Sequence, residues 1–293
     1  MSSQLPIPDE PLNVLITKTL TLPDVTSEEE SLIREAAGPG STVVIVDSPK
    51  EGVEFASTAD VILGITPKWL FESAPNLKWV HATASGVDMF MFEEFVKSDV
   101  ILTGEKGLVG GHLADTAFGL LLALTRKIKK AIELGPEGWT LENREMMRFS
   151  EIELEGLTMG IVGFGGTGRH LARRATAFGM KVRAVDAFPV EPSDGVAEVE
   201  DMNSLTDIVT SSDVLAVGLP LTEETRGMCD YSFFEQMKPT AIFLNVTRGE
   251  IIDGPGLEKA LKDGIIGGAA LDVAPVEPLP ADNALWSFEN CVM

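Results

Sequence analysis

A glycine-rich turn between an apolar run and a helical pattern is the feature that most constrains the fold of this chain. The run Thr158–Val162 is followed by Gly163, Gly165 and Gly168, and Arg169–Ala177 then has the composition of a helix. In this order a strand enters a tight turn at Gly163, leaves room for a pyrophosphate at Gly165, and meets a closely packed helix at Gly168. Phosphates would lie at the helix N-terminus, where free N–H groups and the helix dipole favour an anion.

A glycine pattern of this kind is a weak signal by itself, because strand–turn–helix junctions also use glycine for purely steric reasons. The next apolar run, Lys181–Val185, ends in Asp186, at about the 20-residue distance expected for a carboxylate that binds ribose hydroxyls. Such a carboxylate repels a 2′-phosphate, and residues 187–189 contain no arginine to receive one. The two motifs together predict NAD rather than NADP as the cofactor. The alternative is a structural turn with an unrelated surface aspartate.

Composition limits the class of protein. A chain of 293 residues with 44% hydrophobic content is long enough for two domains with cores of their own. We expect no membrane segment and a cytoplasmic location, since no apolar stretch spans a bilayer and residues 1–10 lack a secretory pattern. The two cysteines, Cys229 and Cys291, predict neither disulfides nor a metal site. A net charge of −22 argues against nucleic-acid binding and requires a locally placed cation for any anionic ligand.

Short apolar runs alternate with helical patterns, which predicts an α/β fold with parallel sheets in two regions. The strands predicted in the first region are Asn13–Thr17, Thr42–Val46, Val61–Leu63, Leu77–Val80 and Val100–Thr103. Those predicted in the second region are Met159–Val162, Lys181–Val185, Val214–Val217, Ala241–Leu244, Gly268–Leu271 and Cys291–Met293. This second rhythm is typical of a doubly wound dinucleotide-binding (Rossmann) domain.

Two helices are predicted with particular features. Thr26 and Glu29 have the spacing of a capping box, so a helix is expected to begin there. The pattern from Leu113 to Leu134 predicts one long helix with a basic end, terminated by Gly135. Its apolar surface is larger than one small domain is expected to cover, which is compatible with a subunit interface or with ordinary core packing.

From the loop Ser85-Gly86-Val87 to its last residue, the chain resembles the D-isomer-specific 2-hydroxyacid dehydrogenases. The resemblance rests on the order and spacing of Leu219–Thr225, Asn245–Gly249, Gly267–Val273 and Glu277-Pro278. It implies an NAD-dependent oxidoreductase with a smaller flavodoxin-like substrate domain, residues 1–108, that lacks its usual C-terminal return segment. Residues 109–293 would form the cofactor domain, and the helix at Leu113–Leu134 would lie at a homodimer interface.

The reaction of such an enzyme fits one residue on physical grounds. Reducing a 2-oxoacid needs a cation for its carboxylate, an acid for the carbonyl oxygen and a hydride aimed at the carbonyl carbon. Arg248 follows a predicted strand and suits the first task, because a planar guanidinium grips a carboxylate with two parallel hydrogen bonds. The alternative for Arg248 is a structural role on backbone carbonyls.

The resemblance also implies roles for other residues. Backbone N–H groups of Ser85, Gly86 and Val87 would hold the substrate carboxylate, and Glu277 would orient and polarise a catalytic histidine. The cofactor contacts would be Gly166 and Thr167 on the pyrophosphate within the turn Gly163–Gly168, Asp186 on the ribose, Leu219, Pro220 and Thr225 along the adenosine side, and Val246, Thr247, Arg248 and Asp272 near the nicotinamide end.

The sequence departs from the family at its end. In the family the strand that begins near Cys291 leads into a Thr-Pro-His segment whose histidine is the general acid and base, whereas this sequence ends at Met293. None of its three histidines, His81, His112 and His170, replaces that group convincingly. We expect the chain to be a shortened form of a longer enzyme. The alternative is a protein that has lost its acid and base.

These patterns predict an oxidoreductase that transfers a hydride between NAD(H) and a small D-2-hydroxyacid or a 2-oxoacid such as glyoxylate, hydroxypyruvate or pyruvate. Two alternatives remain open. One is a catalytically impaired, NAD(H)-sensing interaction protein of the same fold, and the other is a dehydrogenase for formate or phosphite on the same scaffold.

Overall fold

The computed structural model describes residues 10–84, 86–105, 107–193 and 195–293. The chain divides into two compact units, Met1–Lys106 and Gly107–Met293. Each unit is built on a parallel sheet with helices packed against it, so the predicted α/β class is confirmed. The assignment of residues 1–108 to substrate and of residues 109–293 to cofactor stays a prediction.

The first unit contains a five-stranded sheet in the order β2-β1-β3-β4-β5, which is the flavodoxin-like order. Its strands are β1 (Asn13–Thr17), β2 (Thr42–Val46), β3 (Val61–Leu63), β4 (Trp79–Ala82) and β5 (Ile101–Gly104). Its helices are α1 (Ser27–Ala37), α2 (Pro49–Ala56), α3 (Lys68–Glu72) and α4 (Glu93–Val96).

Helix α1 begins at the predicted capping box. Thr26 Oγ1 accepts the N–H of Glu29 at 3.2 Å, and the Glu29 carboxylate accepts the N–H of Thr26 at 2.8 Å. The fourth strand begins two residues later than predicted, because the N–H groups of Lys78 and Trp79 both bond to Asp60 O and Leu77 stays in the preceding turn. His81 therefore belongs to β4.

The second unit contains a seven-stranded sheet in the order β12-β11-β10-β9-β6-β7-β8, with every pairing parallel. Its strands are β6 (Thr158–Val162), β7 (Lys181–Val185), β8 (Val199–Glu200), β9 (Val214–Val217), β10 (Ile242–Asn245), β11 (Gly268–Leu271) and β12 (Cys291–Val292). Its helices are α5 (Gly110–Thr125), α6 (Ile128–Leu134), α7 (Leu141–Phe149), α8 (Gly166–Ala177), α9 (Leu205–Ser211), α10 (Tyr231–Glu235) and α11 (Gly254–Lys262).

Both faces of this sheet are covered. One apolar cluster joins α5 and α8 to the sheet through residues such as Phe118, Leu171 and Met159. The cluster on the other face includes Phe234 and Leu257 and packs α10 and α11 against the strands. The strand order reverses between β9, the central strand, and its neighbour β6. Open α/β sheets bind ligands at the carboxyl ends of the strands at such a reversal.

The long helix predicted from Leu113 to Leu134 is wrong in one respect, since the chain breaks it into α5 and α6. The N–H of Ile152 donates to Thr125 O at 2.8 Å, so a distant segment occupies a carbonyl that a continuous helix would use. The Thr125 hydroxyl also bonds back to Leu121 O. Lys127 then adopts a left-handed conformation with φ of 57°, which begins α6 in a new direction.

Three smaller findings complete the fold. The pattern analysis missed β8, a strand of only two residues that is too short to show a periodicity. In the part of the chain that the structure describes, no helix is long and apolar enough to cross a membrane. Within the same part, no three His, Cys, Asp or Glu side chains come together as metal ligands.

Candidate dinucleotide and substrate site

The glycine turn lies at the carboxyl end of β6. Gly163 has φ of 97°, and a Cβ there would meet Gly218 O at 2.7 Å, so this position excludes other residues. A Cβ on Gly168 would lie 2.3 Å from Gly163 O, which explains the close packing of helix on turn. In contrast, a Cβ on Gly165 would meet no atom within 4 Å. The backbone at Gly165 is therefore open to a ligand.

Helix α8 starts directly after this open position. Its N-cap is Gly165, and no side chain accepts the N–H groups of the first turn. Those groups remain available as donors for an anion, and the dipole of a 12-residue helix adds to the attraction. The residues of the turn thus fit the pyrophosphate of a dinucleotide.

Asp186 is held beside the turn by backbone donors. Its Oδ2 atom accepts the N–H of Phe164 at 2.7 Å, and its Oδ1 atom accepts the N–H of Phe188 at 3.0 Å. Each oxygen keeps a lone pair for a further donor. The carboxylate is thus oriented before any ligand arrives, at the place where ribose hydroxyls are expected.

The loop after β9 and the turn after β10 form the next part of the same sheet edge. Leu219 is buried, while Pro220 is exposed and its carbonyl accepts the Thr225 hydroxyl at 2.8 Å. This bond folds the loop back over the strand end. Val246 is buried, and the Thr247 hydroxyl points towards Val217 O at 3.4 Å.

Asn245 is a positioning residue that the sequence patterns did not reveal. It is fully buried at the end of β10, and its Nδ2 donates to Arg248 O at 2.8 Å. Its Oδ1 accepts the N–H of Thr247 at 3.0 Å and the Thr247 hydroxyl at 3.1 Å. One amide therefore fixes the backbone on both sides of the turn that carries Arg248. Its signal in the sequence was a polar residue ending an otherwise apolar strand.

The loop after β11 packs against that turn. A Cβ on Gly249 would lie 1.7 Å from Ala274 O, so only glycine allows this approach. The N–H of Asp272 donates to Asn245 O at 3.0 Å, and Glu277 Oε1 accepts the N–H of Ala274 at 2.9 Å. The structure therefore brings the Arg248 turn together with the loop that carries Asp272 and Glu277.

The two acids of this loop influence each other. The pKa of Asp272 is raised, first by partial withdrawal of its carboxyl group from water and then by the negative charge of Glu277. The residue as a whole remains exposed, so the withdrawal from water is incomplete. A concentration of negative charge at this place is suited to a cationic partner such as an imidazolium.

The predicted substrate loop belongs to the first unit and follows β4. Gly86 and Val87 are described, whereas Ser85 lies outside the described residues. The N–H of Phe90 bonds to Val87 O at 2.9 Å, which closes the loop into a turn of helix. Val87 is itself partly exposed.

The three histidines make local contacts of other kinds. His170 packs beside Gly110, where a Cβ would meet the imidazole ring at 2.7 Å, and His112 is exposed near the start of α5. His81 Nδ1 lies 2.8 Å from the Thr103 hydroxyl, which also accepts Trp79 Nε1–H at 2.8 Å.

The two cysteines do not contribute to this site. Cys229 and Cys291 are both free and buried in the apolar cluster that contains Phe234. Burial raises the pKa of Cys291 to about 12 and raises that of Cys229 as well. Both thiols therefore remain protonated and unreactive at neutral pH.

Comparison with known proteins gives consistent matches. Residues 118–293 match the model of the D-isomer specific 2-hydroxyacid dehydrogenase NAD binding domain. The chain is 38% identical over 225 residues to a glyoxylate reductase of Korarchaeum cryptofilum, covering 76% of this chain and 67% of the relative. A mouse glyoxylate reductase/hydroxypyruvate reductase is 31% identical over 230 residues, which cover 78% and 70% of the two chains.

A solved structure matches over nearly the whole chain. The D-isomer specific 2-hydroxyacid dehydrogenase family protein from Aeromonas salmonicida superposes with a TM-score of 0.80 at 30% identity, covering 97% of this chain and 88% of that one. The aligned regions of the two reductases named above cover about two thirds of the length of each. The matched family model is that of an NAD binding domain, which identifies NAD as the cofactor type.

Proposed function

We propose that this chain, a member of the D-isomer-specific 2-hydroxyacid dehydrogenase family, transfers a hydride between NAD(H) and a small D-2-hydroxyacid or 2-oxoacid. The observation that carries the proposal is the convergence of the glycine turn, Asp186, the Arg248 turn and the Glu277 loop at one edge of one sheet. Glyoxylate, hydroxypyruvate and pyruvate are the substrates we propose to test first, since relatives at 31–38% identity carry reductase names for the first two.

The cofactor residues are proposed as the sequence predicted them. Gly163, Gly165, Gly166, Thr167 and Gly168 would hold the pyrophosphate at the start of α8. Asp186 would accept the ribose hydroxyls. The remaining contacts would come from Leu219, Pro220 and Thr225 on the adenosine side and from Val246, Thr247, Arg248 and Asp272 near the nicotinamide. When bound, the nicotinamide supplies the hydride.

The substrate residues act through charge and orientation. Arg248 would bind the substrate carboxylate with two parallel hydrogen bonds, and Asn245 keeps its backbone in place. Backbone N–H groups of the loop Ser85-Gly86-Val87 would hold the same carboxylate. Glu277 would orient the imidazole of the family's acid–base histidine and raise its basicity. We assign that proton donor to none of His81, His112 and His170.

The proposal is tested with the complete product of the gene. NADH oxidation is followed with glyoxylate, hydroxypyruvate and pyruvate, and NAD⁺ reduction is followed with formate and phosphite. We expect turnover with at least one 2-oxoacid and a loss of about 100-fold or more in kcat/KM for Arg248→Lys, because a point charge cannot reproduce the two parallel bonds. NADH affinity should fall much less than kcat/KM, because Arg248 is only one of several proposed cofactor contacts. Arg226→Lys, an exposed arginine paired with Glu250, is the matched control.

The outcomes separate the candidate functions. NAD⁺ reduction by formate or phosphite, without turnover of any 2-oxoacid, would favour the alternative of a formate or phosphite dehydrogenase on the same scaffold. NADH binding without turnover on any substrate would contradict the enzyme, and would favour the NAD(H)-sensing protein if Arg248→Ala also left cofactor binding and partner binding unchanged.

We also propose that Asp186 selects NAD over NADP. A fixed carboxylate repels a 2′-phosphate, and its two backbone bonds prevent it from turning away. Asp186→Ser should reduce the preference for NADH over NADPH by at least about tenfold, measured by fluorescence titration of both cofactors. An unchanged preference would show that another group makes the choice.

A homodimer is proposed from an exposed apolar surface in the second unit. Trp139, Leu141 and Phe149 are 80%, 84% and 81% exposed, and Ile132 of α6 is 75% exposed. Apolar side chains grouped along one stretch of chain mark an interaction surface. Light scattering should show a dimer at micromolar concentration and a monomer for Leu141→Glu. A monomeric wild-type protein would contradict this proposal and leave the enzyme proposal standing.

A further inference from the structure

We propose that a lysine-lined cavity in the second unit is an additional ligand site, one that binds a phosphorylated metabolite no larger than a mononucleotide. The cavity has a volume of about 360 Å³ and lies at the amino ends of β10, β11 and β12, beside Ile242, Gly267 and Asn290. All strands of this sheet are parallel, so the glycine turn is at the opposite edge. The cavity is therefore separate from the proposed dinucleotide site.

The lining concentrates positive charge in a strongly acidic chain. Lys127, Lys129 and Lys130 line the cavity, and Glu289 is the one acidic residue of the lining. The pKa of Glu289 is lowered first by a hydrogen bond from Lys130 and further by the charges of Lys129 and Lys127. The three ammonium groups thus act on the same small volume, in which Lys130 is paired with Glu289 and Lys129 with Glu133 at 3.6 Å.

Two of these lysines are fixed by the fold. Lys129 Nζ donates to Phe288 O and to Cys291 O, both at 2.7 Å, which ties α6 to the last strand. Lys130 Nζ bonds to Glu289 at 2.6 Å. Both side chains therefore form a pre-ordered wall, and a ligand would not have to order them.

Lys127 is held in place differently. It is the non-glycine residue with positive φ in the described part of the chain, and a side chain in that conformation costs on the order of 1 kcal/mol. Across residues 10–84, 86–105, 107–193 and 195–293, no ion pair of Lys127 is found. The helix break thus presents at the cavity wall an ammonium group that has no ion-pair partner in the described part of the chain, and its place beside two other lysines in a cavity points to an anionic ligand.

The size and walls of the cavity limit the ligand. Ala123, Leu124, Met146 and Ile152 give it an apolar side, and the volume is near the lower end of the roughly 300–1,000 Å³ of small-molecule sites. Lysine is well suited to phosphate as a point charge. A ligand with a phosphate group for the lysines and a compact, partly apolar remainder for the apolar side therefore matches the cavity.

The site is compatible with the proposed dimer. Ile128 and Ile132 are four residues apart and share one face of α6, where both are exposed. Lys130 lies two positions from each and therefore on the opposite side of the helix. Occupation of the cavity does not require the apolar face of α6, and at the end of α7 the cavity is lined by Met146 and Ser150, not by Leu141 or Phe149.

The test uses the full chain saturated with NADH, which blocks the glycine turn, and UMP as the probe in isothermal titration calorimetry. We expect UMP to bind and uridine not to bind. Lys127→Gly removes the ammonium group and relieves the backbone, so it should raise the stability while weakening UMP by at least about tenfold. Lys50→Glu, an exposed lysine of α2, is the matched control and should leave UMP affinity unchanged.

Three results would overturn the proposal. The proposal fails if the wild-type protein binds neither UMP nor inorganic pyrophosphate. It also fails if Lys127→Gly leaves the affinity for UMP unchanged, or if Lys50→Glu loses as much affinity for UMP as Lys127→Gly does. NADH affinity is measured first in every variant. If NADH does not bind, the proposed function fails, while the comparison of Lys127→Gly with Lys50→Glu still decides the fate of the cavity.

Discussion

In each of the two sheets an aspartate bonds to the backbone at the start of the first strand, but the strands of the two sheets differ in how far they are buried. Asp60 precedes β3 and Asp213 precedes β9, and each of these strands pairs with the first strand of its sheet. Asp60 accepts the N–H of Asn13 at 2.9 Å, and Asp213 accepts the N–H of Thr158 at 2.8 Å. The lysines that neutralise the two carboxylates, at 2.9 and 2.7 Å, are Lys78 and Lys238.

The difference lies in burial. Every residue of β9, β10 and β11 is buried, as expected for parallel strands covered on both faces. In β4 only Val80 and Ala82 are buried, and in the neighbouring β5 Ile101 is 61% exposed. The second sheet is therefore stabilised mainly by its apolar core, whereas the first depends on one buried face in β4 and on polar contacts such as those of Asp60 between β1 and β3.

The largest expected effect compares two isoleucines. Ile161 of β6 is fully buried, so Ile161→Ala should lower the free energy of unfolding of the second unit by about 2–5 kcal/mol. Ile101→Ala should cost the first unit less than about 1 kcal/mol, because the side chain is already in contact with water. Urea denaturation with probes in each unit measures both. Equal losses would show that the face carrying Ile101 is covered in solution.

A second test concerns the contact between the Arg248 turn and the Ala274 loop. Gly249→Ala places a methyl group 1.7 Å from Ala274 O and should cost about 3 kcal/mol. Because the same contact sets the site, NADH affinity should fall as well. Gly119→Ala in α5 meets no atom within 4 Å and should be neutral or slightly stabilising. A stable, cofactor-binding Gly249→Ala would mean that the two loops are not packed together.

The smallest effect is a pH dependence common to both units. The pKa of both Asp60 and Asp213 is lowered in the folded protein. Burial by itself would raise it, but hydrogen bonds from a lysine, Lys78 or Lys238, and from a backbone N–H outweigh that effect. A lowered pKa adds stability above the unfolded value of about 3.9, and that stability is lost as pH falls through the folded pKa.

Asp213→Asn and Asp60→Asn should therefore each cost about 1–3 kcal/mol at pH 7 and progressively less below pH 4. Thermal unfolding of each variant between pH 3 and pH 7 measures this. Because the first unit has the smaller core, Asp60→Asn should lower its melting temperature more. If the loss of stability does not depend on pH, the packing of these aspartates and not their charge makes the contribution.

Much of the candidate site was visible in the sequence because its signals are local. The glycine turn, Asp186 and the segments around Arg248 and Glu277 are short motifs at strand ends, and the comparisons confirm the predicted family and NAD cofactor. The roles of the individual residues stay predictions. Asn245 escaped notice because its importance comes from hydrogen bonds to two sides of a turn, which composition and spacing do not express.

By itself the sequence determined the α/β class, every strand of both sheets except β8, the capping box at Thr26 and the glycine turn. Each of these depends on residues that are close together in the chain. Only the tertiary structure decided where the long helix breaks. There a backbone bond from Ile152 to Thr125 interrupts a good helical pattern. The same break places Lys127 at the wall of a cavity. Helix propensity is worth only a few tenths of a kcal/mol per residue, and a left-handed residue costs about 1 kcal/mol, so contacts between distant segments can outweigh both.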